Sequence, residues 1–419
     1  MARMLESDEA ARRLGVKVAT LYAYVSRGQL TSHPGPSGRR RLFDMEEVER
    51  LARRSREGKT VETRMVTVTT GITQLTDEGP VFRGRPAAGL ATAMTYEEVA
   101  DLLWQAGGGA GAGDGIVGPP DRRSGPAEEW LPYPLGRPPG IGSWDRMNWA
   151  VLMSGALDPL RADLRPEAVI RAARRVAASM VDVLPPMEDG RLGARVPPSR
   201  LMLDDGTVVD GSLAGRLASR LSPAPSVDLV RGVNAALVLL ADHELATSTV
   251  AVRVAASTRA DLYHSLLAGL GTMSGPLHGG ASQLAYSLLV EAERHGVDRA
   301  LDDTLRWQGV LPGFGHTVYK SGDARFTVLL GLFERLASPE QVELVGAVVR
   351  LAADHTIPLP NVDLALAAMA WATGMPPDAG RTMFAVARVA GWTAHYLEEL
   401  GEKPLRYRPR AVYASTGRG

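Results

Sequence analysis

From Pro166 to Leu400 the apolar residues of this chain recur three and four positions apart in one stretch after another, and the joints between stretches carry glycine, proline or asparagine. That period lines one face of a helix, whereas a half-buried strand alternates every second residue. Helices are expected over Pro166–Leu184, Ser212–Leu221, Ser226–Leu240, Thr247–Leu267, Ala281–His295, Ala324–Leu336, Pro339–Asp354, Leu364–Gly374 and Gly380–Leu400. With 419 residues, 45% hydrophobic and 22% charged, the chain has length for two or three domains. No window of about eighteen apolar residues is present. The opening MARMLESDEAARRLG lacks the apolar core of a secretory signal, so a cytoplasmic location is expected and no membrane partner. The absence of cysteine removes disulfides, thiolate metal sites and thiol nucleophiles together. Histidine, carboxylates and arginine are left to carry any chemistry.

The first 59 residues are of a different kind. They hold 13 Lys and Arg against 8 Asp and Glu, leaving 34 against 39 for the remainder. A basic segment on an otherwise acidic chain points to an anionic partner, commonly nucleic acid. Ser7 precedes a short helix with early acids that closes at Gly15, and a second helix runs from about Val18 to Ser26. Pro34–Gly38 forms a turn into Arg39, Arg40, Arg41, Leu42 and Phe43, a hairpin tipped with basic residues. Asp44 and Glu47 are spaced as a capping box for a third helix through Arg54. The stretch DEAARRLGVKVATLYAYVSRGQL with GRRRLFD resembles the MerR and excisionase families of winged helix-turn-helix proteins. The resemblance implies DNA binding. The second helix would bring Thr20, Tyr22, Ala23 and Tyr24 to base edges, while Arg39, Arg40 and Arg41 meet phosphates or the minor groove. The competing reading is a three-helix protein-docking module with a solvated basic face.

Between these regions, Met65–Thr70 reads as a strand, and Thr95 with Glu97 and Glu98 opens a helix through Trp104. Residues 105–143 are rich in glycine and proline and read as a flexible surface insertion.

Three helix joints have compositions that packing does not require. Gly275-Pro276-Leu277-His278-Gly279-Gly280 delivers a histidine to the start of a helix, where the macrodipole favours neutral imidazole as a donor to a developing oxyanion. In Leu311-Pro312-Gly313-Phe314-Gly315-His316, followed by Lys320, Asp323 and Arg325, the glycines allow close backbone approach to a ligand. Lys320 and Arg325 supply positive charge for carboxylates or phosphates. Pro358-Leu359-Pro360-Asn361-Val362-Asp363 places a carboxylate at a helix start, although Asn361 or Asp363 there also reads as a plain cap.

Taken in order, GPLHGG, PGFGHTVYK with its downstream Asp and Arg, and PNVD resemble the three-part signature of the citrate synthase family. The resemblance runs from about Met65 to Tyr413, apart from the Gly/Pro-rich stretch. It implies an all-α, two-domain citrate synthase fold behind a small winged helix-turn-helix domain at residues 1–59. The larger domain would comprise 60–268 and 370–419, the smaller 269–369, with the site between them. By the same resemblance Asp363 is the general base toward an acyl-CoA methyl group, His278 stabilises the enol or enolate, and His316 polarises and protonates the oxaloacetate ketone. His243, Arg325 and Arg388 bind oxaloacetate, and Arg408 reaches across from the other subunit of a homodimer. Gly313, Gly315 and Lys320 are assigned to CoA. No cofactor or metal is implied, since acetyl-CoA or propionyl-CoA is a substrate. The chain departs from the family at Ala324, usually proline, and at Ala246, where asparagine is common. Two rivals are 2-methylcitrate synthase, working on propionyl-CoA, and a transcription regulator that senses oxaloacetate or acyl-CoA with a retired enzyme fold.

Overall fold

The structure is a computed structural model that describes residues 4–14, 16, 18–26, 30–34, 41–49, 51, 67–105, 130–185, 201–202, 208–209, 212–275 and 279–408. The chain divides into two compact units, Met1–Val68 with Tyr407–Gly419, and Thr69–Arg406.

In the first unit, helices Ser7–Leu14 and Val18–Ser26 pack on a three-stranded antiparallel sheet. Arg41–Asp44 is its central strand, paired with His33–Pro34 as the hairpin reading requires. Its other neighbour is Met4–Glu6, a strand too short to show a period in the sequence. Leu5, Ala10, Leu14, Leu21, Leu30, Phe43 and Val48 form a small separate core. Asp44 opens the next helical turn by accepting from the Glu46 and Glu47 amides. The capping box is not closed, however: the Glu47 carboxylate turns to the backbone and hydroxyl of Thr31 and ties the turn to the segment before the wing. Thr20 and Arg41 are exposed, while Tyr24 packs partly against the core. The side chains of Tyr22 and Ala23, and all of Arg39, Arg40 and residues 52–54, lie outside the described residues.

The second unit is mostly helical. Local caps set many helix ends: Thr95 and Glu98 close a capping box on Tyr96–Trp104, Ser338 and Gln341 close another on Pro339–Asp354, and Ser212 and Ser226 cap Leu213–Leu221 and Val227–Leu240. The expected Thr247–Leu267 helix is two, Thr247–Ser257 and Leu262–Met273, split where Arg259 takes φ 64° and Asp261 caps the second. Three helices carried no clear signal in the sequence: Ala87–Ala93, Ser143–Leu157 and Val297–Gln308. The strand expected at 65–70 is absent over the described residues 67–70, and a small antiparallel sheet of Thr73–Thr76, Gly79–Phe82 and Arg85–Pro86 stands next to it.

The Ala379–Leu400 helix runs through the centre and is buried on nearly all sides. Tyr96 donates to the Val386 and Ala387 carbonyls, and the Trp104 indole N–H to that of Ala390. Trp130 stacks on Trp104 at 5.8 Å, and Tyr133 meets Tyr263 edge to face. Both lie within the stretch expected to be a surface insertion, so its end is core; residues 106–129 are outside the described residues. Two large aromatics outweigh the glycines around them, since burying one such side chain is worth about 1.5–3 kcal/mol. The boundaries expected at 268/269 and 369/370 fall inside the continuous helices Leu262–Met273 and Val362–Ala372. Among the described residues no helix is long and apolar enough to cross a membrane.

Candidate active site

Two of the three unusual joints are clasped to each other by backbone. The Gly315 amide donates to the Leu359 carbonyl, the Asn361 amide to that of Gly313, and the Asn361 side-chain amide to that of Gly315 at 2.7 Å. Phe314 and Pro360 form an antiparallel bridge between them. Gly313 has φ 83°, and a Cβ there would stand 2.9 Å from that of Leu364, so only glycine fits. Asn361 also caps Val362–Ala372 by accepting from the Asp363 amide. The cap reading of Asn361 therefore holds, and it leaves the Asp363 carboxylate free for another task.

His316 follows the clasp directly. The amides of Val318 and Tyr319 both donate to its Nδ1, at 3.1 and 3.2 Å. A nitrogen that accepts carries no proton, so the neutral ring holds its hydrogen on Nε2. Burial and the charges of Arg325 and Lys320 lower the imidazole pKa and keep the ring neutral. The Arg325 guanidinium is also a donor, and at 3.5 Å from Nε2 it makes no real bond. Nε2–H thus remains available for an acceptor from outside.

Arg325 is 3% exposed and held by both oxygens of Asp323 at 2.9 Å. Asp323 caps Ala324–Phe333 and also accepts from the Val362 amide, so one carboxylate fixes the arginine and the helix that carries Asp363. Burial works against this carboxylate, and Arg325 outweighs it, holding the pKa below the ordinary range. Arg388 enters from the central helix, 1% exposed, its Cζ 4.7 Å above the Phe384 ring. Its Nε and Nη1 have no hydrogen-bond partner among the described residues. Burial, with the charge of Arg325, pulls its pKa down to about 10, so it stays cationic.

His243 closes the group. Its ring meets His316 at 5.3 Å and Tyr319 at 5.5 Å, both edge to face, and Tyr319 stacks on His316 at 4.6 Å. Burial, then Arg325 and Arg388, push the His243 pKa down to about 2, and its Nε2 is buried without a partner among the described residues. The turn that carries it is pinned by Asp242, which accepts from the Glu244 amide and faces His395 Nε2 at 3.3 Å. Burial opposes ionisation of Asp242, but His395 and Arg388 hold it at about 2. His395 is oriented in turn by Arg253, bound to Glu398 and Glu399. Asp363 is half-buried, and burial raises its pKa to about 6 against the pull of Arg325.

The structure brings together His243, His316, Arg325 and Arg388, with Asp363 within electrostatic reach of Arg325. Gly313 and Gly315 serve the clasp, and the exposed Lys320 ammonium is turned back onto the His316 carbonyl. His278 lies outside the described residues. Arg408 is exposed and belongs to the other compact unit. Sequence reasoning missed Asp242, His395 and Tyr319: the first two are 153 positions apart, and the third stood inside the quoted motif without a role.

A family model for the citrate synthase C-terminal domain matches residues 145–410, and one for a helix-turn-helix domain matches 4–56. Citrate synthase 2 of Bacillus subtilis is 31% identical over 272 residues, 64% of this chain and 71% of that protein. The 2-methylcitrate synthase 2 of Corynebacterium glutamicum is 34% identical over 197 residues, 46% of this chain and about half, 51%, of that one. Among solved structures, the citrate synthase of Thermoplasma acidophilum, determined as a ternary complex with carboxymethyl coenzyme A and oxaloacetate, superposes with a TM-score of 0.65. The match covers 86% of this chain and 96% of that one at 22% identity, which bears on the fold alone.

Proposed function

Because the chain belongs to the citrate synthase family, we propose that it condenses acetyl-CoA, or its homologue propionyl-CoA, with oxaloacetate and releases CoA. The observation that carries this reading is a set of buried polar atoms without partners among the described residues, Arg388 Nε and Nη1 and His243 Nε2, next to the His316 ring. Buried polar groups are nearly always satisfied, so such a set calls for an acceptor-rich guest, and a keto-dicarboxylate supplies one. Arg325 and Arg388 take the carboxylates with His243, and His316 Nε2–H points to the ketone oxygen.

Asp363, ionised above about pH 6, takes a proton from the carbon next to the thioester. The C–H electrons become the enol double bond, with the oxygen held by His278. The enol carbon then attacks the ketone carbon. The ketone π electrons pass to oxygen, which takes the Nε2 proton of His316; the positive neighbours that resist a second proton on this ring also make Nε2–H more acidic. Water cleaves the thioester, releasing the CoA thiol, and solvent reprotonates the imidazole. The segment between the helices Leu262–Met273 and Val362–Ala372 acts as the smaller lobe, closing on the rest to keep water out until condensation is done. Arg408 completes the site of a second subunit in a homodimer, and residues 1–59 bind DNA.

A catalytic base separates this reading from a retired enzyme that only senses its ligands, because sensing requires the arginines but not Asp363. Purified protein should consume oxaloacetate with acetyl-CoA or propionyl-CoA and liberate free thiol. Asp363→Asn should cut turnover by about 10²–10⁴-fold while oxaloacetate still binds. No thiol release with either acyl-CoA, alongside normal oxaloacetate binding, would establish the sensor instead.

A further inference from the structure

Tyr319 is 3% exposed, and its hydroxyl has no hydrogen-bond partner among the described residues. Its ring is fixed on three sides. It stacks on His316 at 4.6 Å, stands edge-on to His243 at 5.5 Å, and lies under the Arg325 guanidinium at 5.1 Å. Burial, with the negative charge of Asp323, outweighs the positive charge of Arg325 and Arg388 and pushes the hydroxyl pKa up to about 12, so it is a neutral O–H.

A buried hydroxyl that stays unpaired is a standing cost to the fold, and removing it without loss of shape is neutral or stabilising. Of the charged groups it feels, Arg325 and Arg388 are donors, and the Asp323 carboxylate is already engaged by Arg325 and the Val362 amide. The hydroxyl oxygen could accept from these donors, but its own proton has no acceptor among the described residues, and a ligand rich in lone pairs supplies one.

We propose that Tyr319 is a substrate-binding residue whose hydroxyl donates a hydrogen bond to a carboxylate of the keto-dicarboxylate, beside Arg325 and Arg388. The assignment rests on the oxaloacetate reading above and adds to it a neutral donor. The arginines supply charge to any dianion of suitable size. The hydroxyl, held by a ring that also backs His316, ties the position of the carboxylate to that of the imidazole facing the ketone. Tyr319 therefore sets how the ketone lies against Nε2–H as well as how tightly the anion is held.

Tyr319→Phe tests this, since it deletes one oxygen and keeps the ring stack. In the full-length protein, oxaloacetate affinity from calorimetry should fall about 10- to 100-fold, the range for a hydrogen bond to a charged group. The KM for acetyl-CoA should stay within about twofold of wild type, and the melting temperature should hold or rise. Unchanged oxaloacetate affinity in Tyr319→Phe, with affinity lost in Tyr319→Leu, would overturn the proposal and leave the residue as a stacking platform. Equal weakening of both substrates with a lowered melting temperature would overturn it as well. Arg388→Ala distinguishes the layers: if it too leaves oxaloacetate binding intact, the substrate reading itself has failed; if it alone weakens binding, only the role of Tyr319 has.

Discussion

Asp363 shows a single residue working against the fold that holds it. Burial raises its pKa to about 6, so between the ordinary carboxylate range and pH 6 the folded protein binds a proton that the unfolded chain releases. The stability linked to this proton is fully present below the unfolded pKa and is lost as pH rises through about 6. Asp363→Asn, which stays neutral, should therefore melt above wild type at pH 7.5, and the gap should narrow as pH falls from 6 toward 4. Condensation by wild type should fall on the acid side with a midpoint near 6. A melting difference that grows as pH falls would contradict the raised pKa. From the sequence, the carboxylate at a helix start was legible but ambiguous, because a cap and a base look alike there. Geometry gives the cap to Asn361 and leaves the Asp363 carboxylate without that duty.

At the scale of elements, helix ends were legible wherever the signal was local, as with Thr95, Ser226 and Ser338, each of which accepts from an amide three residues on. They were illegible where the backbone alone decides, as at Arg259, since nothing in an arginine announces a left-handed φ. Trp130 and Tyr133 were missed because composition was averaged over a window, whereas burial is decided residue by residue. The pairing of the 313–315 and 359–361 segments is non-local and left no mark beyond its glycines and prolines. Asn361→Ala should lower unfolding stability by about 1–2 kcal/mol, the usual cost of a lost cap with one further hydrogen bond. Turnover should drop by more than that stability loss accounts for, because both the His316 loop and Asp363 shift. Unfolding in denaturant alongside initial rates would check this, and wild-type turnover in the variant would refute the positioning role of the clasp.

For the molecule as a whole, the helical class and the order of the motifs were readable because they repeat one period and one sequence of joints, while the Asp242–His395–Arg253 chain was not, its members being scattered over 153 positions. Each compact unit has a core of its own, and that independence makes the tethering testable. Removing residues 1–59 should leave condensation within about twofold of wild type. In a homodimer, two copies of the N-terminal unit should select an inverted-repeat duplex, because palindromic DNA mirrors protein symmetry. The triple change of Arg39, Arg40 and Arg41 to Ala should lower the log–log salt slope by about one unit per lost phosphate contact. Selection that recovers no preferred duplex, with an unchanged slope, would make the unit a protein-docking module. The clasp between the two loops also bears on how such a chain can recombine. A crossover anywhere between residues 316 and 359 would join halves of a mated pair from different parents. Chimeras of that kind should fold on intact helices yet work poorly, whereas exchanges that carry 311–363 as one block should inherit a parental clasp whole.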